Sequence, residues 1–487
     1  MLIFALSLGI YSKACGLGLT GDDLFAISHA RNLFANGWLG TLFLAAPKKT
    51  ILYGSYSPIS LVVLRLADMA GGGAPFAFHA ISVVLHAACA VFAFSIFKRF
   101  MGRPFALWAA LFFAVHPALT ETVFHISALP HLLTAFFVLM AAHFLVLEAS
   151  GVFVPSSARF WGGLAMLCAL FSGEAAFLAP LGLFALDSSL SDGGANADAR
   201  RRRWLIEGSF LCSVYLAARI PAFGFPEWGP PEGPTGIWAF VKYLGLISIP
   251  VPLYARHEGG VPPLLAFTSA AMTLFVFIYY ALRERGGRAA FAWALLFLLS
   301  ALGVLPWSSP RFSESGLYLP VLGFCLTAGI GAESHSRIYI GQNIRFILYF
   351  LLFPLLVVTF MRAEVWRSDK NLYEHIADSN PDYAEGHIML GAVFMAEGLW
   401  SDSTSEYLVA ATLNPSDPRA YEGAAKSSFM LGKYNMAERF YEKAVELSPG
   451  DAKLRYGYAN VLHNQQKHSQ EEGHLIAVIA LDPEHYA

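Results

Sequence analysis

Two adjacent carboxylates, Asp22 and Asp23, directly follow the first apolar segment of the chain. Paired carboxylates at the edge of such a segment could take a proton from an attacking hydroxyl or could hold a cation. A helix N-cap beside a solvated charge would explain the same pair without any chemistry. The residues that accompany the pair elsewhere in the chain decide between these interpretations.

Further oxygen and imidazole groups extend the candidate cation site. Asp22, Asp23, His116 and Glu121 could together hold a divalent cation such as Mg²⁺ or Mn²⁺. Glu121 and His125 lie four residues apart and would share a helix face, a spacing that suits a metal pair or a hydrogen bond. For this pair we expect the hydrogen bond, which is the commoner arrangement.

Two histidines, His79 and His86, lie seven residues apart inside an apolar segment. They would share a helix face, which suits a haem or proton-relay site as well as a polar stripe between packed helices. We expect the stripe, since polar side chains join helices inside membranes. The five cysteines lack ligand spacing and are interpreted as small core residues.

Long apolar runs carry these residues and predict about eleven membrane spans, several of them shorter than the roughly 20 residues that a bilayer requires. The predicted spans are residues 2–18, 76–97, 104–117, 130–149, 159–173, 174–188, 204–221, 262–282, 289–306, 317–333 and 345–362. Residues 58–70 and 237–254 are predicted to lie along the membrane surface. Residues 1–17 are kept as part of a span, since a cleaved signal peptide would begin with basic residues.

Basic residues predict the orientation of these spans. Thirteen of the 22 Lys and Arg in residues 1–361 fall in one set of short loops, which the positive-inside rule makes cytoplasmic. The outer loops are then residues 19–75, 117–130 and 222–261, and the odd number of spans places the C-terminal part outside as well. The acidic residues on this outer side are Asp22, Asp23, Glu121, Glu174 and Glu314. Because the chain has no Asn-x-Ser/Thr sequon, we favour a bacterial inner membrane and periplasm over an endoplasmic reticulum.

Composition changes near residue 361. Residues 1–361 carry 22 Lys and Arg against 16 Asp and Glu, whereas residues 362–487 carry 11 against 19 and are net −8. The change predicts a membrane domain over 1–361 and an acidic, water-soluble domain over 362–487. The basic residues sit in short loops between spans, so nothing indicates a nucleic-acid partner.

Four prolines, Pro381, Pro415, Pro449 and Pro483, stand 34 residues apart each time. This is the period of the tetratricopeptide repeat, a helix–turn–helix unit that buries its apolar face by stacking on its neighbours. We predict repeats that start at residues 384, 418 and 452, after a partial unit over 369–378. The residues expected to pack the repeats are Gly391, Ala410, Pro415, Ala425, Ala444, Pro449, Ala459 and Pro483. Such arrays bind protein segments or stabilise a neighbouring domain.

Several segments resemble the C-type glycosyltransferase superfamily, and in particular the transmembrane and tetratricopeptide-repeat protein O-mannosyltransferases. In chain order they are Asp22-Asp23, Tyr56-Ser57-Pro58-Ile59, Phe78-His79 through His86, His116-Pro117 with Thr120-Glu121 and Val123, Ile126-Ser127 with Leu132-Leu133, Gly173-Glu174 followed by Pro180, and Glu314 followed by Leu317-Tyr318-Leu319-Pro320. The resemblance implies an all-α polytopic domain of the C-type glycosyltransferase fold, followed by a helical repeat solenoid. It also implies transfer of a sugar from a polyprenyl-phosphate donor to a protein hydroxyl.

The resemblance assigns roles to particular residues. An acidic residue of the first outer loop would be the general base, and of Asp22 and Asp23 we favour Asp23. The departing phosphate would need cations to balance its growing negative charge. Residues that could bind the donor phosphate or the acceptor are Glu121, His116, Glu174 and Glu314. Arg311, Arg65, Arg219 and Arg256 are outer-side candidates that could replace basic residues of the family pattern that this chain lacks.

The chain departs from the family pattern at basic positions. Ser57, Gly173 and Ser315 stand where the pattern has basic residues, and Ala128-Leu129-Pro130-His131 replaces Gly-Arg-x-Asp. Phosphate binding depends on such groups. The preferred function is therefore a periplasmic-side membrane glycosyltransferase with a lipid-linked sugar donor and a protein acceptor or partner on the repeats. The main alternative is a non-catalytic membrane scaffold whose repeats bind or stabilise a larger assembly; a transporter or a lipid-linked polymer ligase is a more distant one.

Overall fold

The computed structural model describes residues 1–35, 51–52, 55–152, 154–190, 194–223, 237–250, 264–303, 313–338 and 344–482. The chain divides into two compact units, Met1–Ser368 and Asp369–Ala487. The boundary therefore follows residue 368, whereas composition predicts it after residue 361. The difference arises because Arg362, although charged, is buried in the first unit and bonds Glu314 there.

The first unit is built from α-helices, which confirms the predicted all-α fold. Its described helices are α1 Leu2–Ile10, α2 Asp23–Ala35, α3 Pro58–Gly71, α4 Pro75–Phe97, α5 Arg103–Ala114, α6 Thr120–Phe124, α7 Leu129–Ala149, α8 Pro155–Leu170, α9 Ala179–Leu190, α10 Ala195–Phe223, α11 Ile237–Ser248, α12 Leu264–Arg283, α13 Arg285–Ala301, α14 Tyr318–Ile338 and α15 Ile344–Arg362. Short 3₁₀ helices lie at Ser12–Gly16, Pro117–Leu119, Ile126–Ala128, Glu174–Leu178 and Glu314–Leu317. The two-residue strands Ile51–Leu52 and Ser55–Tyr56 pair antiparallel.

Prolines mark several of the helix starts. Pro58, Pro75 and Pro155 are the first residues of α3, α4 and α8. The first turn of a helix leaves its N–H groups without intrahelical partners, so proline costs nothing there and its fixed φ favours the turn. A proline in the sequence thus marks the first residue of each of these three helices.

Among the described residues, four helical segments are long and apolar enough to cross a membrane, namely Pro75–Phe97, Ile126–Ala149, Leu264–Arg283 and Glu314–Ser336. Arg103–Ala114 and Pro117–Phe124 pass the same test together but are bent by 50°, so they add at most a fifth span. The chain is therefore an integral membrane protein, but its described residues contain fewer spans than the about eleven predicted from a required length of roughly 20 residues. Several predicted spans form helices that are too short, such as the 9-residue α1 and the 12-residue α9.

Acidic and basic groups gather at opposite ends of the first unit. Helix α7 begins next to Ser127, which bonds Asp23, and its 21 residues reach about 31 Å to Glu148 at the far end. Ion pairs at that far end join Glu148 to Arg159 and Arg203, and Asp187 to Arg200 and Arg201. We call this the basic end, and we call the end that holds Asp23 and Ser127 the acidic end. The basic end contains loops that the sequence predicts to be cytoplasmic.

The second unit consists of helix pairs. Its described helices are α16 Asp369–Ser379, α17 Ala384–Ala396, α18 Trp400–Leu413, α19 Pro418–Met430, α20 Tyr434–Leu447, α21 Ala452–Asn464 and α22 His468–Leu481. The pairs begin at the three residues where the 34-residue period places the repeats. Arg419 of the second pair donates to both carboxylate oxygens of Glu385, which lies one repeat earlier, at 3.0 and 2.6 Å.

Small residues allow the repeat helices to approach closely. Gly391 and Gly423 both face the ring of Tyr407, and a Cβ on Gly423 would overlap that ring. Four predicted packing alanines are buried, namely Ala410, Ala425, Ala444 and Ala459. The prediction that Pro415 and Pro449 also pack the repeats is wrong, because both lie in exposed turns. Proline has no N–H to continue a helix, so these residues follow the end of the preceding helix instead. Pro483 lies outside the described residues.

Candidate functional site

The carboxylate of Asp23 ties two distant segments together at the acidic end. Asp23 is fully buried and begins α2. Its Oδ2 accepts the N–H of Thr20 at 3.0 Å, and its Oδ1 accepts the N–H of Ser127 at 2.8 Å. Burial raises the pKa of the Asp23 carboxyl, while His125 and the two N–H donors offset part of that rise. Asp23 therefore fixes the first loop to the segment that starts α7.

His125 completes this junction. Its Nε2 lies 3.4 Å from Oδ1 of Asp23 and 2.8 Å from Oγ of Ser127. The imidazole stacks on Trp366, with ring centroids 4.8 Å apart and planes inclined by 24°. The ring is thereby held on one face by an indole and on one edge by a carboxylate and a hydroxyl. His125 therefore bridges Asp23 and Ser127 at this junction.

Asp22 differs from Asp23 although the two are adjacent. Asp22 is exposed, whereas Asp23 is fully buried. The main chain places Asp22 immediately before α2, where its carbonyl oxygen accepts the N–H of Ala26 at 3.0 Å. The pair thus combines an accessible carboxylate with a buried one that anchors the backbone beside it. The N-cap interpretation accounts for the helix start but not for the Asp23–Ser127 bond.

Two glutamates, Glu121 and Glu314, form a second buried cluster together with Arg362. Arg362 donates to Oε2 of Glu314 at 2.7 Å and to the hydroxyl of Thr120 at 3.0 Å. Glu121 accepts the Ser313 hydroxyl at 2.6 Å and the backbone N–H of Glu314 at 2.9 Å. All three charged side chains are buried. A buried carboxylate needs a cation or several donors to remain charged, and Arg362 supplies the cation.

Glu174 forms a similar pair at the start of a 3₁₀ helix. The Nε of Arg219 donates to Oε1 of Glu174 at 3.1 Å, and both side chains are about 5% exposed or less. Gly173 lies against Pro130 and Thr134 in the first turns of α7, which places Glu174 at the acidic end. A glutamate in this place would be expected to face a cavity or outer water; instead a buried arginine accompanies it. This arginine offsets part of the cost of burying the carboxylate.

The residues predicted to share a cation do not come together. His116 is buried with Nε2 2.9 Å from the carbonyl oxygen of Ile247, and its Nδ1 accepts the N–H of Ala118. Within the described ranges, the one group of three or more His, Cys, Asp and Glu residues with ligand atoms within 4.8 Å of one another lies in the second unit. The four-residue set of Asp22, Asp23, His116 and Glu121 is therefore not assembled in this structure. It fails because both nitrogens of His116 and both oxygens of Glu121 have other partners.

Two histidine expectations have different outcomes. Glu121 and His125 do not share a helix face, because α6 ends at Phe124 and the Glu121 carboxylate binds Ser313 instead. The polar stripe expected at His79 and His86 is present. His79 Nε2 lies 3.1 Å from the Gly18 carbonyl oxygen, while Nδ1 of His86 lies 2.6 Å from the Tyr318 hydroxyl. The stripe thus joins α4 to neighbouring segments.

Arg65 lies in a different arrangement from the buried arginines. Arg65 and Arg31 both contact Asp68 at 2.5 Å, and their side chains are 31% and 49% exposed. One carboxylate thus faces two guanidinium groups, which leaves a net positive charge at a partly exposed position. Arg256 and Arg311, the other predicted phosphate ligands, lie outside the described residues.

Sequence reasoning misses Arg362 and Trp366. Arg362 is the last residue of the final predicted span and Trp366 follows it, but the change in composition near residue 361 assigns both to the soluble domain. A lone arginine at the end of an apolar segment is the available signal, since a charge in that place normally has a buried partner. Nothing in the spacing points to Trp366, whose ring covers His125 only through the fold.

Comparison with known proteins supports the resemblance seen in the sequence. No family model matches the chain. Human protein O-mannosyl-transferase TMTC3 is 22% identical over 485 residues, which covers 88% of this chain and 52% of the relative. Human protein O-mannosyl-transferase TMTC4 is 25% identical over 449 residues, with 76% and 60% covered. The predicted resemblance to the transmembrane and tetratricopeptide-repeat mannosyltransferases is thus confirmed, and the chain spans about half the length of these curated relatives.

Solved membrane enzymes show a weaker similarity. ArnT from Cupriavidus metallidurans, in a crystal structure bound to undecaprenyl phosphate, aligns with a TM-score of 0.45 at 14% identity, covering 93% of this chain and 80% of its own. The archaeal oligosaccharyltransferase AglB from Archaeoglobus fulgidus aligns with a TM-score of 0.44 at 13% identity, covering 74% and 55%. The curated relatives above are human, so they give no support to a bacterial inner membrane, which stays a prediction.

Proposed function

We propose that this chain is a membrane glycosyltransferase that moves a sugar from a polyprenyl-phosphate donor to a protein hydroxyl. The observation that carries the proposal is an exposed Asp22 next to a buried Asp23 that fixes the loop to Ser127. The curated relatives are named protein O-mannosyl-transferases, which supports mannose as the sugar and a protein as the acceptor. Because the chain matches about half of their length, the activity itself is part of the proposal.

In the proposed reaction Asp22 is the general base. An acceptor hydroxyl attacks the anomeric carbon, and Asp22 takes its proton as the new C–O bond forms. The bond between the anomeric carbon and the phosphate oxygen breaks, and its electron pair leaves with the polyprenyl phosphate. From the sequence we favour Asp23 for this role, but both Asp23 oxygens accept backbone N–H groups and its side chain has no exposed surface, so the role is given to Asp22.

Arg31 and Arg65 are the proposed phosphate ligands among the described residues. Arg219 and Arg362 are buried against glutamates, whereas Arg31 and Arg65 are partly exposed and share one carboxylate. Guanidinium groups match phosphate oxygens in geometry and charge. The Arg65→Ala variant should therefore raise KM for polyprenyl-phosphate mannose at least tenfold, whereas Arg283→Ala at the exposed end of α12 should leave it unchanged. An unchanged KM in Arg65→Ala would remove these arginines from the donor site.

The side of the membrane and the need for a cation also belong to the proposal. The acidic end would face the periplasm or an equivalent outer compartment, since basic loops gather at the other end.

A divalent cation at Asp22 stays a prediction, and transfer measured with and without a chelator tests it. If activity survives chelation, arginines alone would have to balance the negative charge of the departing phosphate.

The experiment that tests the proposal compares protein glycans in strains with chromosomal variants. Mass spectrometry should find hexose on Ser or Thr peptides of envelope proteins in the parent and in Asp402→Asn, an exposed change in the second unit. The Asp22→Asn strain should lack these glycopeptides while its variant protein is inserted at parental abundance. Unchanged glycopeptides in Asp22→Asn would contradict the transferase function.

One observation favours the scaffold as a second candidate. Glu174 and Glu314 are held by Arg219 and Arg362, so two acidic residues of the family pattern serve the packing of the acidic end. Under this function the Asp22→Asn strain would match its parent, and deletion of residues 384–487 would break up an assembly. Blue-native gels of both strains, run beside the glycopeptide analysis, distinguish the two candidates.

A further inference from the structure

We propose that the turn between α21 and α22, at the end of the described repeats, binds a divalent transition metal of the zinc class through His463, His468 and Glu471. This site lies in the second unit and is independent of the proposed transferase reaction. It uses two imidazoles and one carboxylate, a donor set that zinc shares with other borderline transition metals and that magnesium and calcium do not favour.

The three side chains already meet around one point. Nδ1 of His463 lies 2.8 Å from one carboxylate oxygen of Glu471, and Nδ1 of His468 lies 2.9 Å from the other. One ligand atom from each residue can be chosen so that all three lie within 4.8 Å of one another. Ligand atoms around a tetrahedral zinc, with bonds of about 2.0–2.2 Å, stand roughly 3.3 Å apart. The three ligand atoms are therefore at most about 1.5 Å farther apart than in a coordinated set.

The backbone explains why these residues meet. His463 lies in the last turn of α21, and His468 is the first residue of α22. Between them Gln466 has a φ of 61°, the left-handed conformation that reverses the chain within a few residues. Glu471 follows His468 by three residues, so it lies on the same face of α22. The geometry of a tight helical hairpin therefore brings together ligands from both of its helices.

The surroundings of the cluster favour an open metal site. The His463 and His468 side chains are 64% and 69% exposed, which leaves room for water as a further ligand. The nearby ammonium group of Lys467 contacts Glu438 of the preceding repeat, so its charge is balanced away from the cluster. His474, on the same helix, packs its ring against Tyr458 at 4.4 Å between centroids and lies outside the cluster.

A metal here would fasten the end of α21 to the start of α22. A ligand that binds only the folded hairpin stabilises it by mass action. The expected consequence is a C-terminal repeat that resists protease better in zinc than in a chelator. His474 provides a matched control because it lies one turn beyond the cluster on the same helix.

The test uses the full-length protein in detergent, stripped with a chelator and titrated with Zn²⁺ against a chromogenic zinc indicator. The parent and His474→Ala should bind one more equivalent of tight zinc than the His463→Ala/His468→Ala double variant. Glu471→Gln should weaken binding at least tenfold while circular dichroism stays parental, and a large excess of Mg²⁺ should not compete. Equal zinc stoichiometry in the parent and the double variant, or loss of zinc in His474→Ala alone, would overturn the proposal.

Discussion

The carboxylate of Asp23 accepts the backbone N–H of Ser127 at 2.8 Å, although the two residues lie 104 positions apart. Through this bond the first loop is fixed to the turn that begins α7, and Asp22 is fixed with it. The adjacent acids therefore have different physical roles, since one is buried in a backbone junction and the other is exposed. Substitutions at the two positions should be distinguishable in solution.

The first prediction separates Asp22 from Asp23. Asp23→Asn leaves one of two buried N–H donors facing an amide NH₂, so we expect a loss of about 1–3 kcal/mol in stability. Asp22→Asn should leave the melting temperature unchanged but lower transfer by about 10²–10⁴-fold. Thermal unfolding of the purified variants in detergent measures the first effect, and transfer assays measure the second. A parental melting temperature for Asp23→Asn would contradict the anchoring role.

The second prediction concerns pH. Arg31 and then Arg65 hold the pKa of Asp68 below its usual range. The unfolded chain therefore binds a proton on Asp68 before the folded chain does as pH falls. The stabilisation is present above the ordinary Asp pKa of about 3.9 and is lost as pH falls through the lower folded value. Melting temperatures of the parent and Asp68→Asn should differ at pH 6 and converge toward the acid limit; a constant difference would contradict the linkage.

A third prediction tests the Glu314–Arg362 pair. Arg362→Met removes the cation that Glu314 contacts at 2.7 Å and leaves a buried carboxylate without its charge partner. We expect a loss of about 3–5 kcal/mol, because breaking a buried pair costs far more than its presence contributes. Thermal unfolding should show the loss in Arg362→Met and a smaller one in Arg362→Met/Glu314→Gln. If the single and double variants melt together, the pair does not determine stability at the acidic end.

The sequence predicts the repeats well because their signal is local. Prolines at a 34-residue period predict helix starts at Ala384, Pro418 and Ala452, where the structure has them. Each repeat packs on its neighbour, so the spacing of small residues determines which ones are buried. The repeat spacing alone therefore predicts that the four packing alanines are buried. The same spacing does not show that Pro415 and Pro449 are exposed.

The membrane unit is less predictable because its contacts are long-range. The motif pattern identifies Asp22-Asp23 and the other acidic residues, but the separation of the pair into an exposed base and a buried anchor depends on Ser127 arriving from another segment. Composition places Arg362 in the wrong unit because it averages over a window, while an ion pair is a single contact. Hydropathy also joins apolar residues across helix ends, such as Ala114 and Pro117, that the structure separates by a bend of 50°.

A fourth prediction tests helix packing in the second unit. A Cβ on Gly423 would overlap the Tyr407 ring, whereas a Cβ on Gly450 would meet nothing within 4 Å. Gly423→Ala should therefore lower the stability of the repeats by about 1–3 kcal/mol, as overpacking does, and Gly450→Ala should not. Protease resistance of the C-terminal fragment measures both variants. Adding Tyr407→Leu should restore resistance to Gly423→Ala, and failure to do so would place the contact elsewhere.

The last prediction concerns sidedness in the membrane. Arg200 and Arg203 lie at the basic end with Asp187 and Glu148, so a reporter fused at Gly194 should lie in the cytoplasm. A fusion at Gly450, in the repeats, should lie in the periplasm. Alkaline phosphatase, which is active only after export, should therefore be inactive at Gly194 and active at Gly450, and a fusion at Ser150 should match Gly194 because it follows α7 at the same end. If Gly194 and Gly450 report the same compartment, the repeats cannot meet an exported acceptor, and the proposed periplasmic transfer would have to be abandoned.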